Sequence, residues 1–408
     1  MAMRNGWVRV PFGSVVTIAS GQVDPKKEPF ADMISVGPDN LLSGGGIEKE
    51  GLRTARELGQ ISGKYAFDAA SILYSKIRPN LNKVALPDFS GICSADMYPL
   101  WPVDENHADR GFLFFTLISE RFVSEATSRS FRTGLPKINR PDLEGIEILL
   151  PPIAEQRRIA FVLETWEQAL EKLAVLRALK EQRLVGLRAA LLFGKLRLNG
   201  QRRNWAPTRL GAVTHELTKR NGAKGLGRDF VMGVTKAEGV VPMREQTIAG
   251  DISRYKRLPP RAFAYNPMRI NVGSIAMNER EDEVLVSPDY VVFACNADGL
   301  DPDYLDHLRK TSWWAHYINS GGSGSVRQRT YYDDLAALKL PLPQLDEQKA
   351  IAAVLNTARA DLAATEREIE AVTLQKRGLM QKLLTGEWRV PLDPSEPSAA
   401  TEETEHAG

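Results

Sequence analysis

Stepping four and three residues at a time from Ile351 lands on Leu355, Ala358, Leu362, Thr365, Ile369, Val372, Lys376, Leu379 and Leu383. Only Thr365 and Lys376 interrupt this apolar seam, and a repeat of 3.5 residues sustained over five heptads predicts one long helix that buries a narrow stripe against another helix. A second seam starts at Ile159 and runs through Leu163, Trp166, Leu170 and Leu173, slips near Arg177, and resumes at Leu184, Leu187 and Leu191. The slip reads as a stutter in the heptad phase. Pro151, Pro152 and Pro343 stand just before the two helices, where a missing N–H costs nothing, and Gly194 and Gly386 stand at their stops. About 38 helical residues at 1.5 Å each give helices of roughly 57 Å. Two such seams in one chain supply each other's core.

The two helices are copies. LLPPIAEQRRIAFVLE, Leu149 to Glu164, recurs as PLPQLDEQKAIAAVLN, Pro341 to Asn356, at an offset of 192 residues. The same offset pairs Leu170 with Leu362, Gly186 with Gly378, Leu191 with Leu383, Gly194 with Gly386 and Arg197 with Arg389. A looser repeat links the segments in front of the helices. Trp7, Gly13 and Val15 match Trp205, Gly211 and Val213; Tyr74 and Arg78 match Tyr265 and Arg269; Ser94 and Asp96 match Ser287 and Asp289; Asp142 and Leu143 match Asp334 and Leu335. In these segments short β-rich stretches, such as Val231 to Val234, Val284 to Val286 and Tyr290 to Cys295, alternate with turn signals and a few short helices, including Tyr304 to Tyr317. The expected order is a globular domain over 1–150, a long helix over 151–198, a second globular domain over 199–340, a long helix over 341–390, and a disordered acidic tail over 391–408. The fold class is α+β.

Composition narrows the chemistry. Two cysteines in 408 residues, Cys93 and Cys295, cannot staple the fold and point to a reducing compartment. No run approaches the roughly 18 apolar residues of a membrane span and Met1 to Ser20 has no apolar signal core, so the sequence reads as cytoplasmic. The formal net charge of +2 is a balance of unlike parts: −1 over 1–150, +4 over 151–198, +4 over 199–340, 0 over 341–390 and −5 over the tail. That is not the uniform basicity of a protein that binds polyanions by charge alone.

Catalytic motifs are not found. His107, His215, His307, His316 and His406 form no metal-ligand spacing with the cysteines. Gly44 to Gly46 lacks the Lys-Ser/Thr of a phosphate loop. Asn266-Pro267-Met268 lacks the second proline and the aromatic of an amino-methyltransferase loop and reads as a turn. Basic stretches instead recur in both globular segments. One carries Lys76, Arg78 and Lys83 among Tyr74, Asn80 and Asn82, and its counterpart carries Arg254, Lys256, Arg257, Arg261 and Arg269 with Tyr255 and Tyr265. The other precedes each helix: Ser128 to Lys137, with Arg132 and Lys137, and Ser320 to Arg329, with Arg327, Gln328 and Arg329. Lys and Arg neutralise phosphates, while Arg, Asn and Gln also read base edges in the major groove. These residues are the candidate DNA contacts.

The P-x-x-x-E-Q-x-x-I motif opens both helices, as Pro151, Glu155, Gln156 and Ile159 and as Pro343, Glu347, Gln348 and Ile351. Repeated twice, each time after a globular segment ending in a Gly/Ser/Arg loop, it resembles the specificity subunit of type I restriction-modification systems over residues 7 to 390. The resemblance implies two target recognition domains separated by two long helices in an antiparallel coiled coil, with a pseudo-two-fold internal repeat. It implies a non-catalytic, DNA-reading chain that binds an asymmetric bipartite target. Its partners would be double-stranded DNA, two modification subunits and restriction subunits, with no membrane. It also implies no cofactor on this chain: S-adenosylmethionine belongs to the modification subunit, and ATP and Mg to the restriction subunit. Glu155, Gln156, Arg157, Arg158, Glu347, Gln348 and Lys349 are the candidate partner-binding residues, with Arg359 and Arg367 also off the seam. A coiled-coil adaptor whose globular ends bind protein is the competing reading, and salt dependence of duplex binding separates the two.

Overall fold

A computed structural model of the chain describes residues 6–130, 136–198, 205–223, 225–320 and 329–391. The long helices run Ile153–Leu191 and Leu345–Leu384, and the rest is sheet-rich, so the fold is α+β. Packing divides the chain into two units, one comprising Met1–Leu173 with Glu368–Gly408 and the other Ala174–Arg367. Each unit thus holds one globular segment, the first half of the helix that follows it, and the second half of the other helix.

In the first unit the seam residues Ile159 and Leu163 share a core with Leu379, Met380, Leu383 and Leu384 of the second helix and with Phe112, Phe115, Leu143 and Ile148 of the globular segment. In the second unit Leu184, Leu187 and Leu191 pack with Ile351, Leu355, Ala358 and Leu362. The pairing is antiparallel in each unit: Glu167 meets Lys376 in the first, while in the second Arg177 meets Glu366 at 3.3 Å and Lys180 meets Asp361 at 2.7 Å. The two polar seam positions have partners here. Lys376 pairs with Glu167, and Thr365 accepts a hydrogen bond from Lys180 at 2.8 Å. The stutter is visible as exposure, since Val175, Leu176 and Leu179 all face solvent where the heptad phase slips. Gly194 and Gly386 end the helices in the left-handed region, at φ +67° and +71°.

The globular segments share a central four-stranded sheet of the same topology. In the first the strand order is Val16–Ile18, Met97–Pro102, Ile72–Ser75, Val84–Ala85; in the second it is Thr214–Glu216, Val291–Cys295, Phe263–Tyr265, Ile275–Met277. A two-stranded antiparallel ribbon then ties the start of each segment to the strand leading into its helix: Val8–Pro11 with Glu147–Leu150, and Ala206–Arg209 with Lys339–Leu342. The domains diverge in their second layer. The first has a four-stranded sheet ordered Arg53–Thr54, Ile34–Val36, Gly91–Ser94, Lys64–Phe67, whereas the second has two separate pairs, Met232–Thr235 with Gly239–Pro242 and Lys256–Leu258 with Val284–Val286. The strand expected over Tyr290 to Cys295 is Val291–Cys295, and that over Val231 to Val234 is Met232–Thr235. The helix expected over Tyr304 to Tyr317 is two, Pro302–Leu308 and Ser312–Ser320. Thr311 makes the break: its hydroxyl donates to the Leu308 carbonyl at 2.7 Å and accepts from the Trp314 amide, ending one helix and starting the next. Among the described residues no helix is long and apolar enough to cross a membrane. The acidic tail from residue 392 onward lies outside the described residues.

Candidate nucleic-acid interface

The helix-start motif builds a clasp that recurs in each unit. Glu155 lies one helical turn before Ile159 and is only 1% exposed. Its carboxylate accepts from Trp7 Nε1 at 3.0 Å and from Arg389 at 2.9 Å (Nε) and 2.6 Å (Nη2). In the second unit Glu347 accepts from Trp205 Nε1 at 3.2 Å and from Arg197 at 2.7 and 2.9 Å. The terminal glycines complete the motif: their left-handed backbone, at φ +71° for Gly386 and +67° for Gly194, favours glycine, and each lies against an indole, Trp7 and Trp205 respectively. Gln156 uses both ends of its amide. It accepts from the Asp109 backbone N–H at 2.8 Å and donates to the carbonyls of His107 and Pro151. Gln348 repeats this on Asp301, Gly299 and Pro343. Asp109 and Asp301 in turn cap short helices through Phe112 and Tyr304, so each glutamine fixes the start of a domain helix to the start of a long helix.

This corrects the expected partner surface. Glu155, Gln156, Glu347 and Gln348 are 1, 0, 5 and 1% exposed and fully engaged inside their own units. The phase of the seam carries the reason: positions four and three residues before Ile159 and Ile351 continue the buried stripe. Arg157 and Lys349 are exposed and Arg158 is half-buried, with Arg157 donating to the Glu105 carbonyl at 3.2 Å.

The basic loops come together within each unit. In the first, Arg78 and Asn82 hold left-handed backbone at φ 48° and 50°, unusual for side-chain-bearing residues and costing on the order of 1 kcal/mol each. The turn is kept by zippering onto the segment before the helix: the Arg78 N–H donates to the Pro136 carbonyl at 2.8 Å and the Ile138 N–H to Lys76 at 2.9 Å. Arg78 and Lys137 are exposed on these paired segments, where Ile77 bridges to Lys137. In the second unit the turn Asn266–Arg269 takes the same place, its Pro267 carbonyl accepting from Thr330 N–H at 3.1 Å, and Arg269 and Arg329 are exposed. Beside it lies a recess of about 380 Å³ lined by Glu216, Lys256, Asp289, Arg329 and Tyr331 among others. Asn266-Pro267-Met268 is a turn, as its sequence suggests.

Other candidates sit differently. Lys76 is 8% exposed, its amine 4.8 Å from the centre of the Tyr98 ring, and burial followed by the Lys137 cation holds its pKa below the ordinary lysine value. Lys83 donates to the Pro38 carbonyl at 2.7 Å. Lys256 donates to the Tyr290 carbonyl at 2.7 Å, and Arg257 pairs with Glu283 at 2.7 Å. These four cations serve the internal structure of their domains, a correction to their reading as free DNA contacts. Arg254 is exposed, while Arg132, Arg327 and Gln328 lie outside the described residues. What the sequence reading left without a role is the acidic partner: Asp96 binds Lys137 at 3.3 Å, and Asp289 lines the recess with Arg329. Their recurrence at matching positions was the available signal. Among the described residues no group of three or more His, Cys, Asp or Glu side chains is placed to hold a metal ion.

Residues 4–181 match the family described as the type I restriction modification DNA specificity domain. The type I restriction enzyme EcoDI specificity subunit of Escherichia coli is 39% identical over 155 residues, which cover 38% of this chain and 33% of that protein. The chain thus matches about a third of that relative's length. The MjaVIII specificity subunit of Methanocaldococcus jannaschii is 24% identical over 328 residues, 74% of this chain and 75% of that protein. Among solved structures, one from work on complex assembly and conformational transition of the type I R-M system superposes with a TM-score of 0.59 at 20% identity, covering 95% of this chain and all of that one. The type I S subunit from M. genitalium gives 0.59 at 14% identity, covering 94% and 98%. Those two share the fold.

Proposed function

We propose that the chain is a type I restriction-modification specificity subunit that reads a two-part, asymmetric DNA target, one globular domain to each half, for a modification and restriction complex, a reading supported by the match of residues 4–181 to the type I restriction modification DNA specificity domain. The observation that carries this reading is the double occurrence of one construction: a clasped helix start, a central sheet of one topology, and an exposed cation on a turn zippered to the pre-helix segment. Divergence of the second layer between domains supports unlike half-sites, since different surfaces present different donors and acceptors to the base edges.

Among the described candidates, Arg78 and Lys137 in the first domain, and Arg254, Arg269 and Arg329 in the second, are exposed and can meet phosphates or bases. Helices of 39 and 40 residues are roughly 58 to 60 Å long at 1.5 Å per residue, enough to serve as a ruler between half-sites one helical turn apart, about 34 to 36 Å. The chain itself is the non-catalytic member. Two modification subunits bring S-adenosylmethionine and methylate adenine, and restriction subunits bring ATP- and Mg-dependent translocation and cleavage. The exposed Arg157 and Lys349 and the half-buried Arg158, with the exposed apolar Val175, Leu176 and Leu179, are the candidate docking positions.

Co-expression with a type I modification subunit tests the reading. The pair should stay together through gel filtration and bind duplex DNA with an affinity that falls steeply as salt rises, because phosphate neutralisation releases counterions. A chain that retains no modification subunit, or whose complex ignores DNA, contradicts it.

A further inference from the structure

A surface that binds DNA by charge alone has no use for carboxylates, which repel phosphate. Yet each domain places one aspartate beside its exposed pre-helix cation. In the first domain Asp96 Oδ1 lies 3.3 Å from Lys137 Nζ, both side chains nearly half exposed. In the second, Asp289 and Arg329 line the same recess and both are exposed. The two pairs stand at matching places in the repeat: Lys137 and Arg329 are 192 residues apart, Asp96 and Asp289 193. Each cation sits next to backbone zippered to the neighbouring turn, through Ile77 and Lys137 in one case and Thr330 and Pro267 in the other. Each aspartate sits in the connection from the second layer to the central sheet, between Gly91–Ser94 and Met97–Pro102 in one domain and between Val284–Val286 and Val291–Cys295 in the other.

A G·C pair offers in the major groove what these pairs complement. Guanine presents two acceptors, O6 and N7, and cytosine beside it presents one donor, the N4 amine. A Lys or Arg satisfies the first and an Asp the second. We propose that Lys137 with Asp96, and Arg329 with Asp289, each read one G·C base pair, so that both halves of the target carry a G·C pair at a matched position while differing elsewhere. The cation donates to guanine O6 and N7 and the carboxylate accepts from cytosine N4. The exposed Lys137–Asp96 ion pair is held by no more than about 1 kcal/mol, so it opens onto the base pair at little cost, while Arg329, which donates to the Tyr331 hydroxyl at 3.4 Å, shares its recess with Asp289. A pair with adenine in guanine's place would leave the carboxylate facing the thymine O4 acceptor and the cation facing the adenine N6 amine, and a pair with thymine there would offer the cation one acceptor, O4, instead of two. This inference rests on the chain being a DNA-reading subunit.

Mapping of methylated sites in the host tests it, with the natural gene and with Asp96→Asn, Lys137→Ala, Asp289→Asn and Arg329→Ala. The natural motif should hold a G·C pair in each half. The first two variants should relax that position in one half alone and the last two in the other half alone, each losing roughly 10- to 100-fold discrimination there. A cation that met only phosphate would, on replacement by alanine, lower methylation without changing the letters of the motif. A natural motif lacking a G·C pair in either half overturns the inference without touching the DNA-reading function. So do variants that lower methylation equally at every site with the letters intact. Methylation indifferent to deletion of the gene would overturn the underlying reading as well.

Discussion

Arg389 and Glu155 lie 234 residues apart in the chain and close a two-bonded ion pair, Nε to Oε1 at 2.9 Å and Nη2 to Oε2 at 2.6 Å. The carboxylate is buried and the guanidinium partly exposed, and the Trp7 indole N–H takes a further lone pair. Removing the carboxylate strands three N–H donors, two on Arg389 and one on Trp7. Glu155→Ala should therefore cost about 2–4 kcal/mol, below the full loss of a wholly buried pair because water reaches Arg389. A Glu155/Arg389 double-mutant cycle should give a coupling of about 1–2 kcal/mol, and Glu347 with Arg197 should behave alike. Additive single losses in urea unfolding would show that the pair is ornamental to stability.

Gln156 and Gln348 are exact in their demands, since each amide must accept from one N–H and donate to two carbonyls. Substitution by Glu turns the donating end into an acceptor facing two carbonyl oxygens. Gln156→Glu should lower stability more than Gln156→Ala, with each loss on the order of 1–3 kcal/mol or above. Hydrogen exchange of the Asp109 amide should rise sharply in both variants. An unchanged exchange rate would mean that another acceptor takes over.

Much of this was legible beforehand. The offset of 192 residues, the seams and the stopping glycines gave the two helices, and Thr365 and Lys376 marked the seam positions that later proved to hold interhelix bonds. The clasp was not read, although Trp7, Glu155, Arg389 and their repeats were all noted as matching positions. Sequence shows that residues recur but not that Glu155 meets the arginine at the end of the other copy. Nor does it show that a lysine such as Lys76 is folded under a tyrosine ring, because charge predicts solvent and only tertiary packing overrules it. The Thr311 break was hidden by helix-compatible neighbours.

His307 gives the second unit a pH dependence that has no counterpart at the aligned Phe115. Its ring is buried; Nε2 lies 3.0 Å from Asn356 Oδ1 and Nδ1 faces Arg188 Nε at 3.4 Å. Asp306, Arg309, Lys310 and Arg359 surround it with further charge. Burial is the main cause that pushes its pKa down to about 4, with the Arg188 cation adding to it. Since the unfolded chain binds the proton near pH 6.5, the stability contributed by neutral His307 is complete above that value. It is lost as pH falls from about 6.5 to about 4, by at most roughly 3 kcal/mol. Unfolding of His307→Phe should be flatter with pH across that window. An equal slope in both proteins would assign the dependence to other groups.

The ruler role proposed for the helices has a length test. Deleting Ala174–Lys180 and Ala363–Ile369, seven residues from each helix, keeps the heptad phase. It shortens each helix by about 10.5 Å, or about three base pairs. The spacer between methylated half-sites should shrink accordingly. A spacer of unchanged length in an assembled, active complex would remove the helices from spacing.

The central claim is that one chain reads two unlike half-sites. Genome-wide mapping of methylated adenines, in hosts with and without this gene, measures it most directly. The account expects one asymmetric motif, two short half-sites around a fixed spacer, present with the gene and absent without it. A continuous or palindromic motif, or a methylation pattern indifferent to the gene, would contradict it.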